Sequence, residues 1–246
     1  MKIAILQMPV VMGQEEKNLR TVLNMIDEAA HSNPDFIVIP ECAFLGWLSE
    51  KSEEFAEPIP GPITHVLSRK AIGSVVYIIA GITERDGNDI YNSAIIIDRR
   101  GEIVLRHRKI NELDVGLKIY KRGNTLGVID TKFGRVGLEI CADAWVPYIT
   151  QTLSLMGARV IFSPCAWAVE KGKEEENLSA IKQHYENRTK ESNVFLVGAN
   201  AVGEITEGPW KGKILQGSSL VYGPGGKLIA EGWMNEPQIL HCTLNL

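Results

Sequence analysis

The chain has 246 residues, of which 45% are hydrophobic and 23% charged, and its formal net charge is −4. This composition is typical of a folded protein with a sizeable core, and the mixed charges exclude an extended basic surface for nucleic acid. No stretch approaches the roughly 20 consecutive apolar residues of a membrane-spanning helix, so we expect no membrane partner either.

The cysteines and histidines suggest neither a disulfide framework nor a metal site. The four cysteines show no CxxC pair and no regular spacing, which predicts reduced thiols in a cytoplasmic protein. The N-terminal KIAILQMPV is too short and too soon polar for a signal peptide, and it predicts a first strand. The five histidines show no HxxxH or HxxEH spacing, so no metal is expected.

The first third of the chain predicts two strand-helix-strand units. After the strand KIAIL, apolar residues from Leu19 to Ala30 repeat at i, i+3, i+4 and i+7, which indicates a helix that ends near Pro34. The strand FIVIP follows at 36–40. A weaker helical pattern after Pro62 then leads into the apolar run VVYIIAGI at 75–82.

The middle of the chain predicts two hairpins, after which helices and strands alternate again. YNSAIIID and EIVLRHRK flank Arg-Arg-Gly, and LGVID and RVGLEIC flank Lys132-Phe133-Gly134. We then expect a helix from about Tyr148 to Met156, the strand RVIFS, a helix from about Glu174 to Glu191, and the strand VFLVGAN. The remaining strands are SSLVYGP, KLIAEGW and QILHCTLNL.

These elements predict an α/β fold. Runs such as FIVI and VVYIIA are typical of strands buried on both faces, whereas hairpins require antiparallel pairing. We therefore expect mixed sheets with helices outside them, in a single domain over residues 1–246, because no linker interrupts the chain. The strand-helix-strand units in both halves permit an internal repeat, although no similarity between individual residues shows one.

Three residues with chemically useful side chains follow apolar strands. Glu41 follows FIVIP, Lys109 follows EIVLRHR, and Cys141 follows RVGLEI. In α/β folds, side chains from distant segments converge at strand ends, where ligands bind. Each residue also has a purely structural interpretation: Glu41 as a helix N-terminal or loop carboxylate, Lys109 as part of a basic run, and Cys141 as core.

Together the three residues describe a workable catalytic set. A thiol needs a base to become a nucleophile, and its attack on the carbon of a C–N bond needs positive charge or N–H donors where the oxyanion develops. A carboxylate can be the base and a lysine the cation. Only His107 lies near any of the three in sequence, so nothing specific supports a Cys-His-Asn arrangement.

The segments around these residues also carry a family resemblance. PECAFLGW contains Glu41, YNSAIIIDRRGEIVLRHRKINEL leads to Lys109, and GRVGLEICADAWVP contains Cys141. They resemble the three signature blocks of the nitrilase superfamily of carbon-nitrogen hydrolases. The similarity covers essentially the whole chain, since five other segments resemble the family in order and spacing: MKIAILQMPVV, NLRTVLNMIDEAA, FSPCAW, NRTKESNVFLVGANAVG and GSSLVYGPGGKLIAE.

The resemblance implies a four-layer αββα sandwich with two mixed β-sheets and a Glu41-Lys109-Cys141 triad. Glu41 would take the thiol proton, and Cys141 would attack an amide, carbamoyl or nitrile carbon. Lys109 and the backbone N–H of Ala142 would stabilise the oxyanion. The resemblance further implies a small-molecule amide or carbamoyl substrate, no cofactor, and a homodimer or higher homo-oligomer.

The chain departs from the family pattern at several positions. Asn111 stands where relatives often have histidine, and Leu117 stands where many have a second glutamate, a role that Glu112 or Asp114 would then fill. Relatives acting on carbamoyl amino acids or ω-amides carry an arginine shortly after the cysteine, where this chain has Ala144 and Trp145. An apolar pocket wall is the simpler expectation.

The remaining residues near the signature blocks have two interpretations each. Trp145, Trp167 and Trp47 are candidates for the substrate pocket, although tryptophan is more often partly buried core. We interpret Cys42 and Cys165 as packing residues. Asp143 matches an acidic position of the family motif and is expected to brace the turn at Cys141.

The leading hypothesis is a cysteine-dependent amidase or carbamoylase that forms a thioester. A nitrilase is less favoured because nitrile specialists tend to have Trp-Glu after the cysteine, where this chain has Ala142-Asp143. Acyl transfer stays open, since any nucleophile that enters can capture a thioester. Two other classes remain alternatives: a non-catalytic binding or scaffold member of the fold, and a redox sensor, for which Cys141 has no resolving cysteine close in sequence.

Overall fold

The computed structural model describes residues 1–246, which form five α-helices and fifteen β-strands. The helices are α1 (Glu15–Ala30), α2 (Ser52–Phe55), α3 (Pro62–Ser74), α4 (Pro147–Leu155) and α5 (Glu174–Ser192). The strands are β1 (Lys2–Gln7), β2 (Phe36–Val38), β3 (Tyr77–Asp86), β4 (Asp89–Ile97), β5 (Ile103–Arg108), β6 (Val128–Thr131), β7 (Gly134–Leu138), β8 (Ala158–Pro164), β9 (Ala168–Val169), β10 (Phe195–Ala199), β11 (Val202–Glu204), β12 (Ile214–Gln216), β13 (Leu220–Gly223), β14 (Lys227–Glu231) and β15 (Gln238–Thr243).

Two six-stranded mixed sheets share one arrangement. The first has the order β15-β1-β2-β3-β4-β5 and the second, read from its other edge, β6-β7-β8-β10-β13-β14. Each has three parallel strands in its centre, with one antiparallel strand on one side and two on the other. The repeat that the sequence permitted is therefore present in the topology.

The sheets stack face to face with helices outside them. Phe36 of the first sheet and Phe162 of the second have ring centroids 5.0 Å apart. One core cluster joins the inner faces of both sheets to α4 and α5, and the other joins the outer face of the first sheet to α1 and α3. The order helix, sheet, sheet, helix confirms the predicted four-layer αββα sandwich, and alternate residues of strands such as β1 are buried in opposite directions.

Two features differ from or add to the prediction. β3 begins at Tyr77 and not at residue 75, because Val75 ends α3 in the left-handed region, with φ of 53°. The short strands β9, β12 and β11 form a separate three-stranded sheet that the sequence did not predict. None of the helices combines the length and the apolar composition needed to span a membrane.

Candidate active site

Glu41 lies in the turn that follows β2, and the packing of this turn depends on Gly81 of β3. The Gly81 N–H donates to the Pro40 carbonyl at 3.2 Å, and the Glu41 N–H donates to the Cys165 carbonyl at 3.3 Å. A Cβ atom at Gly81 would lie 2.4 Å from the Pro40 carbonyl oxygen and 2.5 Å from Glu41 Cα. Only glycine therefore allows β3 to hold the Glu41 backbone this closely.

Lys109 follows β5 and brings a buried ammonium group to two carboxylates. Its Nζ donates to Glu41 Oε1 at 2.7 Å and lies 3.6 Å from Glu112 Oε1. Burial lowers the pKa of Lys109, but the charges of Glu41 and Glu112 outweigh it and raise that pKa well above its usual value. Lys109 is therefore a fixed cation at neutral pH.

Glu112 provides the second carboxylate beside Lys109. It is buried, and burial raises its pKa although the Lys109 charge acts in the opposite sense. Asp114, the other sequence candidate for this position, is exposed, and so is Leu117. The structure thus brings Glu112, and not Asp114, into the cluster with Glu41 and Lys109.

Asn92 is a member of this cluster that the sequence analysis missed. Its Nδ2 donates to Glu41 Oε1 at 2.6 Å and to Glu112 Oε2 at 3.0 Å, so it links the two carboxylates. The available signal was a polar residue within the apolar strand β4, because a buried amide in a strand needs specific partners.

The second carboxylate oxygen of Glu41 is left free. Oε1 accepts from both Lys109 and Asn92, whereas the buried Oε2 has no hydrogen-bond partner. A buried carboxylate oxygen without a donor is costly, so its retention points to a partner that arrives with a ligand. Glu41, Lys109 and Cys141 all line one cavity.

Cys141 lies at a sharp turn between β7 and a single 3-10 turn. Its φ of 49° is in the left-handed region, which is rare for residues other than glycine and is found at strained functional turns. The Cys141 N–H donates to Ser163 Oγ at 3.2 Å, whereas the next N–H, that of Ala142, donates to no protein acceptor.

The thiol of Cys141 is not ionised at rest. The neighbouring Cys165, burial and the nearby Glu41 charge raise its pKa well above the usual value, although Lys109 acts in the opposite sense. A general base is therefore needed to activate it. Cys165 is buried, as expected of a packing residue.

Asp143 and Asn111 join the turn at Cys141 to the segment after Lys109. Asp143 Oδ1 accepts from the Ile110 N–H at 3.1 Å and the Asn111 N–H at 2.7 Å, while Oδ2 accepts from the Ile140 N–H at 2.9 Å. Asn111 Nδ2 donates to the Ala142 carbonyl at 2.6 Å. Asp143 therefore braces this turn, and Asn111 adds a second tether across it.

The cavity over these residues is narrow, with about 50 Å³ open to the centre of a water-sized sphere. Trp145 and Trp167 both line it, as does Trp47, whose ring lies under Lys109 Nζ at 5.2 Å from its centroid. Cys42 is buried outside the lining. Trp210 also lines the cavity and packs edge-on against Trp47; it comes from a loop whose conformation the sequence could not predict.

Comparison with known proteins identifies the class that this fold and site represent. A sequence model of the carbon-nitrogen hydrolase family matches residues 2–246, and the chain belongs to that family. The superfamily that the sequence motifs indicated is thereby confirmed, and the protein is a carbon-nitrogen hydrolase.

Individual relatives cover almost all of the chain. It is 31% identical to a nitrilase from Pyrococcus abyssi (strain GE5 / Orsay), over 100% of this chain and 90% of the relative. It is 26% identical to omega-amidase NIT2 from Danio rerio, over 93% and 83% of the two chains. Among solved structures, a mutant of the amidase from Nesterenkonia sp. AN1 superposes with a TM-score of 0.86 at 20% identity, covering 99% of this chain and 90% of that one.

Proposed function

We propose that this hydrolase cleaves the C–N bond of amide or carbamoyl compounds through a thioester on Cys141, releasing ammonia or an amine. The observation that carries the proposal is the free Oε2 of Glu41, in a cavity shared with a protonated thiol, while Oε1 is held by a fixed cation. This arrangement provides a base, a nucleophile and an electrophilic group at one place.

In acylation, Glu41 takes the proton of Cys141 as sulfur attacks the carbonyl carbon. The oxyanion that forms would be stabilised by Lys109 Nζ and by the Ala142 N–H, which has no other acceptor. Glu41 then gives the proton to the departing nitrogen, so that ammonia or an amine leaves and the thioester remains.

In deacylation, Glu41 takes a proton from a water molecule that attacks the thioester carbon. The acid leaves and the proton returns to Cys141, which completes the cycle with atoms and charges balanced. Glu112 and Asn92 would hold Lys109 and Glu41 in position through both steps, since they contact these residues and not Cys141. Trp145 and Trp167 would form walls of the substrate pocket.

The names of the relatives support this proposal. One group is named omega-amidase, and the Nesterenkonia structure is described as showing covalent addition of the acetamide moiety of fluoroacetamide at its active site cysteine. A nitrile is the second candidate substrate, because the Pyrococcus relative is named nitrilase. Acyl transfer to an amine in place of water would use the same thioester.

The test is ammonia release from a panel of amides, carbamoyl compounds and nitriles, measured for wild type, Cys141→Ala and Glu41→Gln. Glutamine keeps an oxygen for Lys109 but cannot accept the thiol proton, so we expect kcat to fall by at least about 1000-fold. Circular dichroism and the Tm check that the variants fold. Near-wild-type turnover by Glu41→Gln would exclude the role of Glu41, and unchanged turnover by Cys141→Ala would exclude the thioester.

We further propose a single domain that forms a homodimer through the outer face of α4. Tyr148 and Leu155 are 75% and 88% exposed and lie two helical turns apart on this face, which is unusual for large apolar side chains on a monomer. A cytoplasmic location is also proposed, supported by four cysteines that form no disulfide.

A further inference from the structure

The cavity beyond the catalytic residues is almost entirely apolar. Nine of its twelve lining residues are hydrophobic, and the three others are Glu41, Lys109 and Asn177. Four of the nine are tryptophans, which supply wide apolar faces: Trp47, Trp145, Trp167 and Trp210. Since Glu41 and Lys109 are needed for the reaction, the polar groups left to bind the rest of a substrate are the neutral amide of Asn177 and the unpartnered indole N–H groups of Trp47 and Trp167.

No cation in this cavity is free to bind a carboxylate. Lys109 is the only basic side chain in the lining, and it is already shared by Glu41 and Glu112. Lys109, Glu41 and Glu112 together carry one net negative charge when both carboxylates are ionised. A second anion placed nearby would be repelled, and in a buried cavity this repulsion is weakly screened.

Three basic residues near the cavity, His184, Arg188 and Lys213, lie outside its lining. His184 stacks on Trp145 with ring centroids 5.8 Å apart, and burial followed by the Arg188 charge lowers its pKa, so it is neutral at neutral pH. Lys213 Nζ lies 4.0 Å from the centroid of the Trp210 ring, but Lys213 is not part of the lining.

We propose that the acyl group of the natural substrate is uncharged and apolar or aromatic, and that Trp145 at the cavity mouth selects against a terminal carboxylate. This inference rests on the proposed amide or carbamoyl hydrolysis and names its substrate class. An aliphatic or aromatic acyl chain gains by leaving water for the tryptophan walls. A carboxylate on the same chain would lose its hydration without gaining a cation.

Asn177 refines this substrate class. Its Nδ2 donates to Gln216 Oε1 at 2.7 Å, and its amide oxygen accepts no hydrogen bond within the protein. An oxygen acceptor repels a carboxylate and accepts from an N–H or O–H group. The pocket therefore tolerates one neutral donor on an otherwise apolar acyl chain.

The test compares two amides of nearly the same shape, 4-methylpentanamide and succinamate, in which an isopropyl group is replaced by a carboxylate. We expect kcat/KM for the neutral amide to be higher by at least about 100-fold, mainly through KM, because the carboxylate loses its hydration and meets no free cation in the cavity. Equal or faster turnover of succinamate that depends on Cys141 would overturn this inference but support the proposed function. If neither amide is hydrolysed and Cys141 forms no acyl adduct, both fail.

The role of Trp145 is tested by Trp145→Arg with Trp145→Phe as the matched control. Trp145 is 42% exposed, so the mouth of the cavity has room for a guanidinium group. The Arg substitution should shift the ratio of the two kcat/KM values toward succinamate by at least about tenfold, the effect of one hydrogen bond to a charged group. The Phe substitution should leave the preference for the neutral amide in place. An unchanged ratio in Trp145→Arg would exclude Trp145 as the selecting residue.

Discussion

A single lysine ammonium that serves two buried carboxylates determines the chemistry of the site at the scale of residues. In the proposed mechanism the thiol proton of Cys141 moves to a carboxylate, because Lys109 is held as a cation and the pKa of the thiol is raised. The contacts of Glu41 leave one oxygen for this transfer. The proposed mechanism therefore does not need a preformed thiolate.

Glu139, two residues before Cys141, is a buried carboxyl group that takes no part in this proton transfer. It accepts a hydrogen bond from Thr150 Oγ1 at 2.8 Å, and burial raises its pKa to about 8. It is therefore protonated at neutral pH in the folded protein, whereas an exposed glutamate has a pKa of about 4.3.

This difference predicts how stability depends on pH. Between about pH 4.3 and 8 the folded protein binds one proton more than the unfolded chain at Glu139, so this contribution is complete at low pH and falls by up to about 1.4 kcal/mol per pH unit as pH rises. Glu139→Gln should remove that loss, and its stability relative to wild type should increase from pH 5 to 8. Urea unfolding across this range measures it.

The matched control is Glu175→Gln on the exposed surface of α5, which should follow the wild-type curve. Parallel curves for Glu139→Gln and wild type would contradict the assignment of a protonated Glu139.

At the scale of elements, the position of the Glu41 carboxylate depends on how closely β3 approaches the turn after β2. Gly81 makes this approach possible because a side chain there would collide with backbone atoms, which cannot rotate away. Gly81 stands among apolar residues in the sequence. Nothing in this sequence context distinguishes it from a glycine at which an added Cβ atom would meet no other atom.

Gly81→Ala should therefore displace the Glu41 turn. We expect it to destabilise the fold by about 1–3 kcal/mol and to lower kcat by at least about tenfold, since small misplacements of a catalytic group are costly. The measurements are the Tm and the turnover of the best amide.

Gly73→Ala is its matched control. Gly73 lies in α3, and a Cβ atom at this position would have no neighbour within 4 Å, so alanine should raise stability slightly and leave turnover unchanged. Equal effects of the two substitutions would show that Gly81 has no special role.

The strands and the hairpins could be predicted because each depends on local patterns, whereas the four-layer order was implied by the family resemblance. FIVI and VVYIIA have apolar residues on both faces, and these strands are buried between a helix layer and a second sheet. The pairing of β15 with β1 joins residues more than 200 positions apart, which no local pattern encodes. Trp210 and Asn92 were missed for related reasons, one in an irregular loop and the other within an apolar strand.

At the scale of the whole molecule, the exposed apolar face of α4 is the feature that a single chain leaves unexplained. Leu155→Glu places a charge at one end of this face and should convert a dimer into a monomer, because a buried unpaired charge is costly. Light scattering after size-exclusion chromatography would measure the mass.

Ile72→Glu, at an exposed apolar residue of α3, should leave the dimer intact. A wild-type protein that is monomeric at micromolar concentration would exclude the proposed dimer, and a dimer that persists in Leu155→Glu would place the interface elsewhere.

Asn92 lies in β4 of the first sheet, and Glu41 and Lys109 follow β2 and β5 of that sheet, whereas Cys141 follows β7 of the second sheet. The candidate active site therefore lies between the two repeated halves. Turnover should therefore be sensitive to the distance between the two sheets. A displacement of about one ångström would separate the Glu41 carboxylate from the Cys141 thiol while all strands stay paired. On warming, turnover should fall at temperatures at which the circular dichroism signal of the strands is still unchanged. A measurement of turnover would thus detect a change in the packing of the two sheets before a spectrum of the backbone does.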